Sequence, residues 1–257
     1  MAKEQIELVF RYKTLDPQRT MQRVAEILAS HGIDAPEFEL DGLKFSTSRL
    51  LSKLADATSL EVTANGLNFI LGSLPRFQLD LLIIKSSSNV CWDDWVSGLI
   101  EDTSFVMAWV VDTDYNHWQN AVDPQEYEVV GKSFAHLPLR PNGMPYPLDR
   151  MEIDTSRNPG RRYFGAGYIE AVGATMWLGP SFWEVTGADK GKLENQGWLQ
   201  RFEQMHNVIK IRAADDCFTT DEGESGKRQL RLRSVLFPYP VLNRFGRGYS
   251  ATSATRQ

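Results

Sequence analysis

An Asn-Gly dipeptide, Asn65-Gly66, separates two short runs of β-forming residues, Leu60 to Thr63 and Leu67 to Leu71. This dipeptide strongly favours the two-residue turn of a β-hairpin, because both of its residues adopt positive φ angles readily. The two runs are therefore predicted to pair as antiparallel strands. Hairpins of this kind favour a sheet that is at least partly antiparallel, since parallel strands need long crossover connections.

Hydrophobic periodicity predicts the other elements. Asp16-Pro17 is typical of a helix start, with the aspartate as N-cap and the proline in the first helical position. Strands are predicted over residues 5–12, 38–45 (with a turn at Asp41-Gly42), 77–84, 105–111, 163–177, 207–213 and 229–237, and further helices over 50–54, 92–100, 114–121 and 193–205. This pattern predicts an α+β fold, with a mixed or mainly antiparallel sheet flanked by helices.

The 257 residues and the hydrophobic fraction of 42% suit a globular chain with a sizeable core. We predict a single α+β domain over residues 1–238 and a flexible tail over residues 239–257. Four prolines between residues 138 and 147 mark the one candidate for an internal boundary, because proline does not fit the interior of a helix or a central strand.

The first residues, MAKEQIELVF, are charged and are typical of a strand rather than of a secretion signal. The sequence has two cysteines and no run of about 18 apolar residues, the length that a membrane-spanning helix needs. We therefore expect a reduced, cytoplasmic protein that does not contact a membrane.

The acidic residues are unevenly distributed. The 46 residues from Ser86 to Gly131 contain nine acidic residues and no lysine or arginine, although the whole chain has a net charge of only −5. Outside this segment the chain carries 24 acids and 28 bases, a net charge of +4. A negative field of this kind attracts basic partners and repels phosphate backbones, so we expect no nucleic-acid binding.

Large aromatic residues accompany these acids. Trp109 lies in the apolar run MAWVV and is predicted to be in the core, whereas Trp118 is the best candidate for exposure. Aromatic side chains provide anchors at protein interfaces, and carboxylates provide attraction and specificity towards a basic surface. The predicted partner-binding residues are Trp92, Asp93, Asp94, Glu101, Asp102, Asp112, Asp114, Tyr115, Trp118, Asp123 and Glu126.

Recognised catalytic motifs are missing from the sequence, which contains no G-x-S-x-G, H-E-x-x-H or C-x-x-C pattern. The four histidines are scattered, and the Asp112-x-Asp114 pair lacks the glycine and glutamate that a calcium loop requires. We therefore expect neither a metal nor a cofactor. One enzymatic alternative remains open, in which His117 acts with Asp112 or Asp114 in a hydrolase.

The stretch GATMWLGPSFWEVTG, from Gly173 to Gly187, contains four large side chains between glycines, and we interpret it as a corner of the core. Ser181 within it has no neighbouring base that could activate it. Near the end of the chain, alternating basic residues are predicted on a strand, where they supply counter-charges to the acids: Lys227, Arg228, Arg231 and Arg233.

The run YIEAVGATMWLGPSFWEVTGADKG, followed by QGWL, resembles the C-terminal part of immunity proteins of bacterial polymorphic toxin systems. These proteins are cytoplasmic α+β antidotes to contact-dependent or type VI secreted toxins. The resemblance covers about the last third of the chain and transfers no functional residue to a particular position. It implies tight binding to one cognate toxin, whose active site the chain would cover.

The leading hypothesis is thus a non-enzymatic immunity protein that binds a basic toxin through its acidic, aromatic segment. The alternatives are the His117 hydrolase and an adaptor or chaperone that loads an effector for secretion. The sequence also leaves open whether the chain forms a homodimer.

Overall fold

The structure is a computed structural model that describes residues 3–54, 57–88, 90–100 and 104–239. Numbered along the chain, the strands in these residues are β1 (Glu4–Arg11), β2 (Glu37–Leu40), β3 (Leu43–Ser46), β4 (Ser59–Ala64), β5 (Leu67–Leu74), β6 (Leu79–Ser86), β7 (Phe105–Asp112), β8 (Leu139–Pro141), β9 (Met151–Ile153), β10 (Tyr163–Phe164), β11 (Ile169–Glu170), β12 (Thr175–Leu178), β13 (Arg201–Met205) and β14 (Val208–Arg212). The helices are α1 (Pro17–Ser30), α2 (Thr47–Lys53), α3 (Trp92–Leu99), α4 (Thr113–Asn120), α5 (Pro124–Val129), α6 (Pro180–Thr186), α7 (Lys190–Glu194) and α8 (Gly223–Leu236).

Ten strands form one sheet in the order β13-β14-β12-β7-β1-β6-β5-β4-β2-β3, and two small two-stranded sheets pair β8 with β9 and β10 with β11. The strand pairs in the described residues are antiparallel. The predicted α+β class, with a mainly antiparallel sheet flanked by helices, is confirmed.

Local turn and cap signals are confirmed as well. Asn65 and Gly66 both have positive φ angles, 52° and 77°, and connect β4 to β5. Asp41 and Gly42 do the same between β2 and β3. Asp16 is the N-cap of α1, since its side chain accepts a hydrogen bond from the backbone N–H of Arg19.

Helices cover the two faces of the sheet separately. On one face, α1, α2 and α3 pack against alternate residues of the strands, for example Ile6, Leu8 and Phe69. On the other face, α6, α7 and α8 pack against residues such as Val9, Trp109 and Met176. A third, small cluster joins Ala121, Tyr127 and Ile153 away from both faces.

The predicted core corner is confirmed, and two glycines explain how it is built. A Cβ atom at Gly173 would lie 2.4 Å from the carbonyl oxygen of Val110, and one at Gly179 would lie 2.4 Å from that of Phe105. Both glycines therefore allow the chain on either side of β12 to approach β7 closely. Trp177 and Phe182, which lie in β12 and α6, are buried there.

Two predicted elements are wrong. The predicted helix at 193–205 is instead the short helix α7, a turn and the strand β13, which pairs with β14. The predicted strand at 229–237, with its alternating basic residues, is instead part of helix α8. Gln229, Leu232, Arg233 and Leu236 are buried on one side of this helix, so its buried face includes two polar residues.

Buried ion pairs join β1 of the large sheet to the residue before β10, and helix α8 to β11. The Arg162 guanidinium contacts both carboxylate oxygens of Glu7 on β1 at 2.5 Å. Arg233 on α8 donates to Glu170 at 2.7 Å and to the carbonyl oxygen of Pro159 at 3.1 Å. Burial lowers the pKa of Arg233 to about 10, so its guanidinium is still charged at neutral pH.

Replacing Gly173 with alanine is expected to lower the free energy of unfolding by about 1–3 kcal/mol, because the added methyl group meets the backbone of β7. Gly72→Ala is the matched control, since a Cβ atom at that strand position meets nothing within 4 Å. Urea unfolding of both variants measures the difference. Equal stability of the two variants would show that β12 and β7 are not held this closely.

Arg233→Met is expected to cost about 3–5 kcal/mol of unfolding free energy, because it deprives the buried Glu170 carboxylate of its closest cation. Arg231→Met is the control on the exposed side of the same helix. A loss of less than 1 kcal/mol for Arg233→Met in urea unfolding would contradict the role of this ion pair.

Candidate protein-binding surface

Within the acid-rich segment, β7 is buried along its whole length and separates the predicted residues that precede it from those that follow it. Before β7, α3 packs with α1 on the first face of the sheet. After β7, α4 and α5 continue the chain, and Tyr115 of α4 packs against the cluster on the second face. The predicted residues therefore fall into two groups, apart from Glu101 and Asp102, which lie outside the described residues.

The first group, on α3, is engaged within the molecule. Trp92 is only 7% exposed, and its indole N–H donates to a carboxylate oxygen of Glu4 at 2.9 Å. Asp93 accepts a hydrogen bond from Lys210 Nζ at 2.6 Å. Asp94 lies 3.3 Å from the ring nitrogen Nε2 of His31. The Trp92 ring is thus part of the core, and both aspartates have local cationic or polar partners.

Two aspartates of the second group are helix caps. Asp112 is buried and accepts a hydrogen bond from the backbone N–H of Tyr115 at 2.7 Å, which fixes the start of α4. Asp123 accepts from the backbone N–H of Gln125 at 3.1 Å at the start of α5, and also pairs with Arg150. Capping satisfies backbone donors that have no partner within the helix.

Tyr115 points inward. Its hydroxyl group donates a hydrogen bond to the Gln229 side chain on α8 at 2.9 Å. Burial raises the pKa of this phenol well above its usual value, so it is neutral at physiological pH. Tyr115 therefore connects α4 to α8 rather than presenting its ring to solvent.

The half-buried ring of Trp118 is the centre of what we call the α4–α5 cluster, which consists of Asp114, His117, Trp118 and Glu126. The indole N–H of Trp118 donates to Asp114 at 3.0 Å, and the ring makes an edge contact with Tyr127 at a centroid distance of 4.7 Å. Lys132 lies over the same ring, with Nζ 4.2 Å from its centroid. The cluster thus combines carboxylates with a partly accessible aromatic ring.

His117 pairs with a carboxylate other than the two in the hydrolase hypothesis. Its Nε2 atom lies 3.2 Å from a carboxylate oxygen of Glu126, and both side chains are about one-third exposed. Asp112 and Asp114 instead accept hydrogen bonds from the backbone of Tyr115 and the indole of Trp118. This correction removes the particular Asp–His pair that the sequence suggested.

Exposed apolar side chains follow directly after α5, and sequence reasoning missed them. Among the described residues nine large apolar side chains are exposed, and six of these lie between residues 129 and 151: Val129, Val130, Leu139, Tyr146, Leu148 and Met151. The four prolines of this stretch indicate only an irregular loop, so the exposed side chains were not predicted. The apolar residues between the prolines were the sequence signal that could have indicated them.

Other parts of the molecule offer less to a partner or a ligand. In the described ranges, no group of three or more histidine, cysteine, aspartate or glutamate side chains could hold a metal ion. Two surface depressions lie elsewhere, one beside α1 and the other between the turns at Pro36 and Gly66. None of the helices formed by the described residues has the length and apolar character needed to cross a bilayer.

Comparisons with known proteins find a structural likeness but no family. No protein-family model matches the chain, and no curated protein matches it. Among solved structures, the chain is similar to a Pseudomonas aeruginosa T6SS protein, with 9% sequence identity and a TM-score of 0.49. The match covers 92% of this chain and 73% of that chain.

Asp112→Ala is expected to lower the free energy of unfolding by about 1 kcal/mol, because α4 loses its N-cap. Asp112→Asn keeps an oxygen that can accept the same hydrogen bond and should cost less. Urea unfolding distinguishes the two variants. If both variants cost the same, the carboxylate of Asp112 has a role other than capping α4.

Proposed function

We propose that this chain is an immunity protein, which binds one bacterial toxin and neutralises it by covering the toxin's active site. The proposal rests on one observation: the α4–α5 cluster and six exposed apolar side chains lie in one stretch of the chain, residues 114–151. Contiguous exposed apolar side chains are characteristic of interaction sites on soluble proteins. Residues beside such a patch that carry like charges favour a partner of opposite charge.

The charge of this region supports a basic partner. Asp93 and Asp123 are paired with Lys210 and Arg150, so their charges are partly compensated within the molecule, and Asp94 lies beside His31. Asp114 and Glu128 are exposed, and Glu126 is about one-third exposed beside His117. The proposed contact surface therefore consists of α4, α5 and the residues that follow, with α3 at most a secondary part.

The proposal accounts for the resemblance of the run from Tyr168 to Gly191 to immunity proteins without giving that run a binding role. In the structure it forms β12, α6 and the turns around them, and its large side chains are mostly buried. A buried corner of the core maintains the fold, and the binding surface lies elsewhere. The proposed protein acts in the cytoplasm of the cell that it protects.

Co-expression with the product of the adjacent gene tests this proposal. We expect that product alone to stop bacterial growth, and this chain to restore growth and to co-elute with it in size-exclusion chromatography. Rescue without a complex would contradict the proposal in favour of an enzyme, and a complex without rescue would favour an adaptor or chaperone.

The double variant Asp114→Lys with Glu126→Lys is expected to weaken the complex at least tenfold, mainly through a slower association rate that depends on salt. Two Glu→Lys changes, at the exposed Glu194 of α7 and the partly exposed Glu203 of β13, provide a control with the same change in net charge. Surface plasmon resonance at two ionic strengths measures both rates. Equal effects of the two double variants would place the contact surface elsewhere.

A further inference from the structure

The pair β8–β9 and its connecting turn, residues 139–153, form what we call the apolar hairpin. At its tip Tyr146 is 88% exposed and Leu148 is 62% exposed, and Leu139 and Met151, the first residues of β8 and β9, are also exposed. Large apolar side chains that are exposed together on a soluble protein mark an interaction site or an aggregation risk. Tyrosine is also among the residues that most often dominate binding energy at interfaces.

Asn142 fixes the shape of the tip. Its backbone N–H donates to the Arg150 carbonyl oxygen at 2.9 Å, and its side-chain amide donates to the Leu148 carbonyl oxygen at 2.9 Å. Its side-chain oxygen accepts from the backbone N–H groups of Met144 and Arg150 at 3.0 and 3.3 Å. The turn is therefore held by polar atoms and leaves the Tyr146 and Leu148 side chains outside.

Contacts at the base attach the hairpin to the α4–α5 region. The backbone N–H of Ile153 donates to the Val122 carbonyl oxygen at 2.8 Å, and the Ile153 side chain is buried beside Tyr127. Arg150 pairs with Asp123, the N-cap of α5, at 3.2 Å. Val129, at the end of α5, is 86% exposed. These contacts hold the base of the hairpin beside α5, which is part of the proposed contact surface.

We propose that the apolar hairpin inserts its tip into an apolar cleft of the toxin, and that this insertion supplies most of the affinity. Side chains as exposed as Tyr146 and Leu148 bury more of their surface in a concave partner than against a flat one. Because the turn is already ordered, insertion costs little conformational entropy. The exposed carboxylates of Glu128, in α5, and Asp149, in the turn, fit a cleft whose rim is basic, since the exposed Arg150 is already paired with Asp123.

This inference rests on the proposed function, and one set of variants separates the two. Tyr146→Ser with Leu148→Ser is expected to weaken binding to the product of the adjacent gene at least 100-fold, chiefly through faster dissociation. Leu43→Ser with Leu230→Ser replaces two side chains of comparable exposure on β3 and α8 and should leave affinity unchanged. Asn142→Ala should weaken binding about tenfold although its side chain is not at the tip.

The measurements are affinity by surface plasmon resonance, urea unfolding of each variant, sedimentation of the free chain, and binding to phosphatidylglycerol vesicles.

Unchanged unfolding with the expected loss of affinity supports the proposal. A tight complex that the Tyr146/Leu148 variant forms equally well overturns the hairpin's role and leaves the proposed function standing. Absence of any complex with the unaltered chain overturns both. A dimer or vesicle binding by the unaltered chain that the same variant abolishes, with no effect on the toxin complex, overturns the inference in favour of self-association or a lipid surface.

Discussion

Strand β7 is the element on which the other parts of the structure depend. All eight of its residues are buried, because helices pack on both faces of the sheet where it lies. Its neighbour β12 approaches it closely at Gly173 and Gly179, where a side chain would meet the β7 backbone. This close packing fixes where the chain leaves the sheet at Asp112, and so fixes where α4 and α5 begin.

Hydrogen bonds to polar side chains of α4 also hold this helix in place. Arg162 contacts Glu7 on β1 with its guanidinium, and its backbone N–H donates to the Asn120 side chain at the end of α4. Gln119 of α4 accepts a hydrogen bond from the backbone N–H of Gly160. The helix that carries Asp114 and Trp118 is therefore tied to the core through side chains that are themselves paired. A surface supported in this way presents its residues in one arrangement, which favours specific binding.

The parts of the fold that the sequence predicts correctly are those determined by local chemistry. The turn residues Asn65-Gly66 and the cap Asp16 act within a few residues of their own position, so their effect is visible in the sequence. Helix α8 was missed because its buried face includes Gln229 and Arg233, which interrupt the apolar pattern of a helix. Their burial depends on partners such as Tyr115 and Glu170, which are distant in sequence.

The candidate surface was predictable only in part, for the same reason. The composition of the acid-rich segment pointed to α4 and α5, but it also pointed to Trp92 and Asp112, which the fold buries. Nearness in sequence does not make side chains accessible when the fold buries some of them. The apolar hairpin was missed because its exposure follows from the tertiary position of residues 139–153, which proline content alone does not reveal.

We propose that α4, α5 and the apolar hairpin together contact a protein partner. Hydrogen–deuterium exchange of the chain, alone and in complex with the product of the adjacent gene, measures this contact. We expect slower exchange on binding in residues 113–130 and 139–153, with little change in α1 and α7. Protection confined to α3, α8 or the edge strands β3 and β13 would contradict it.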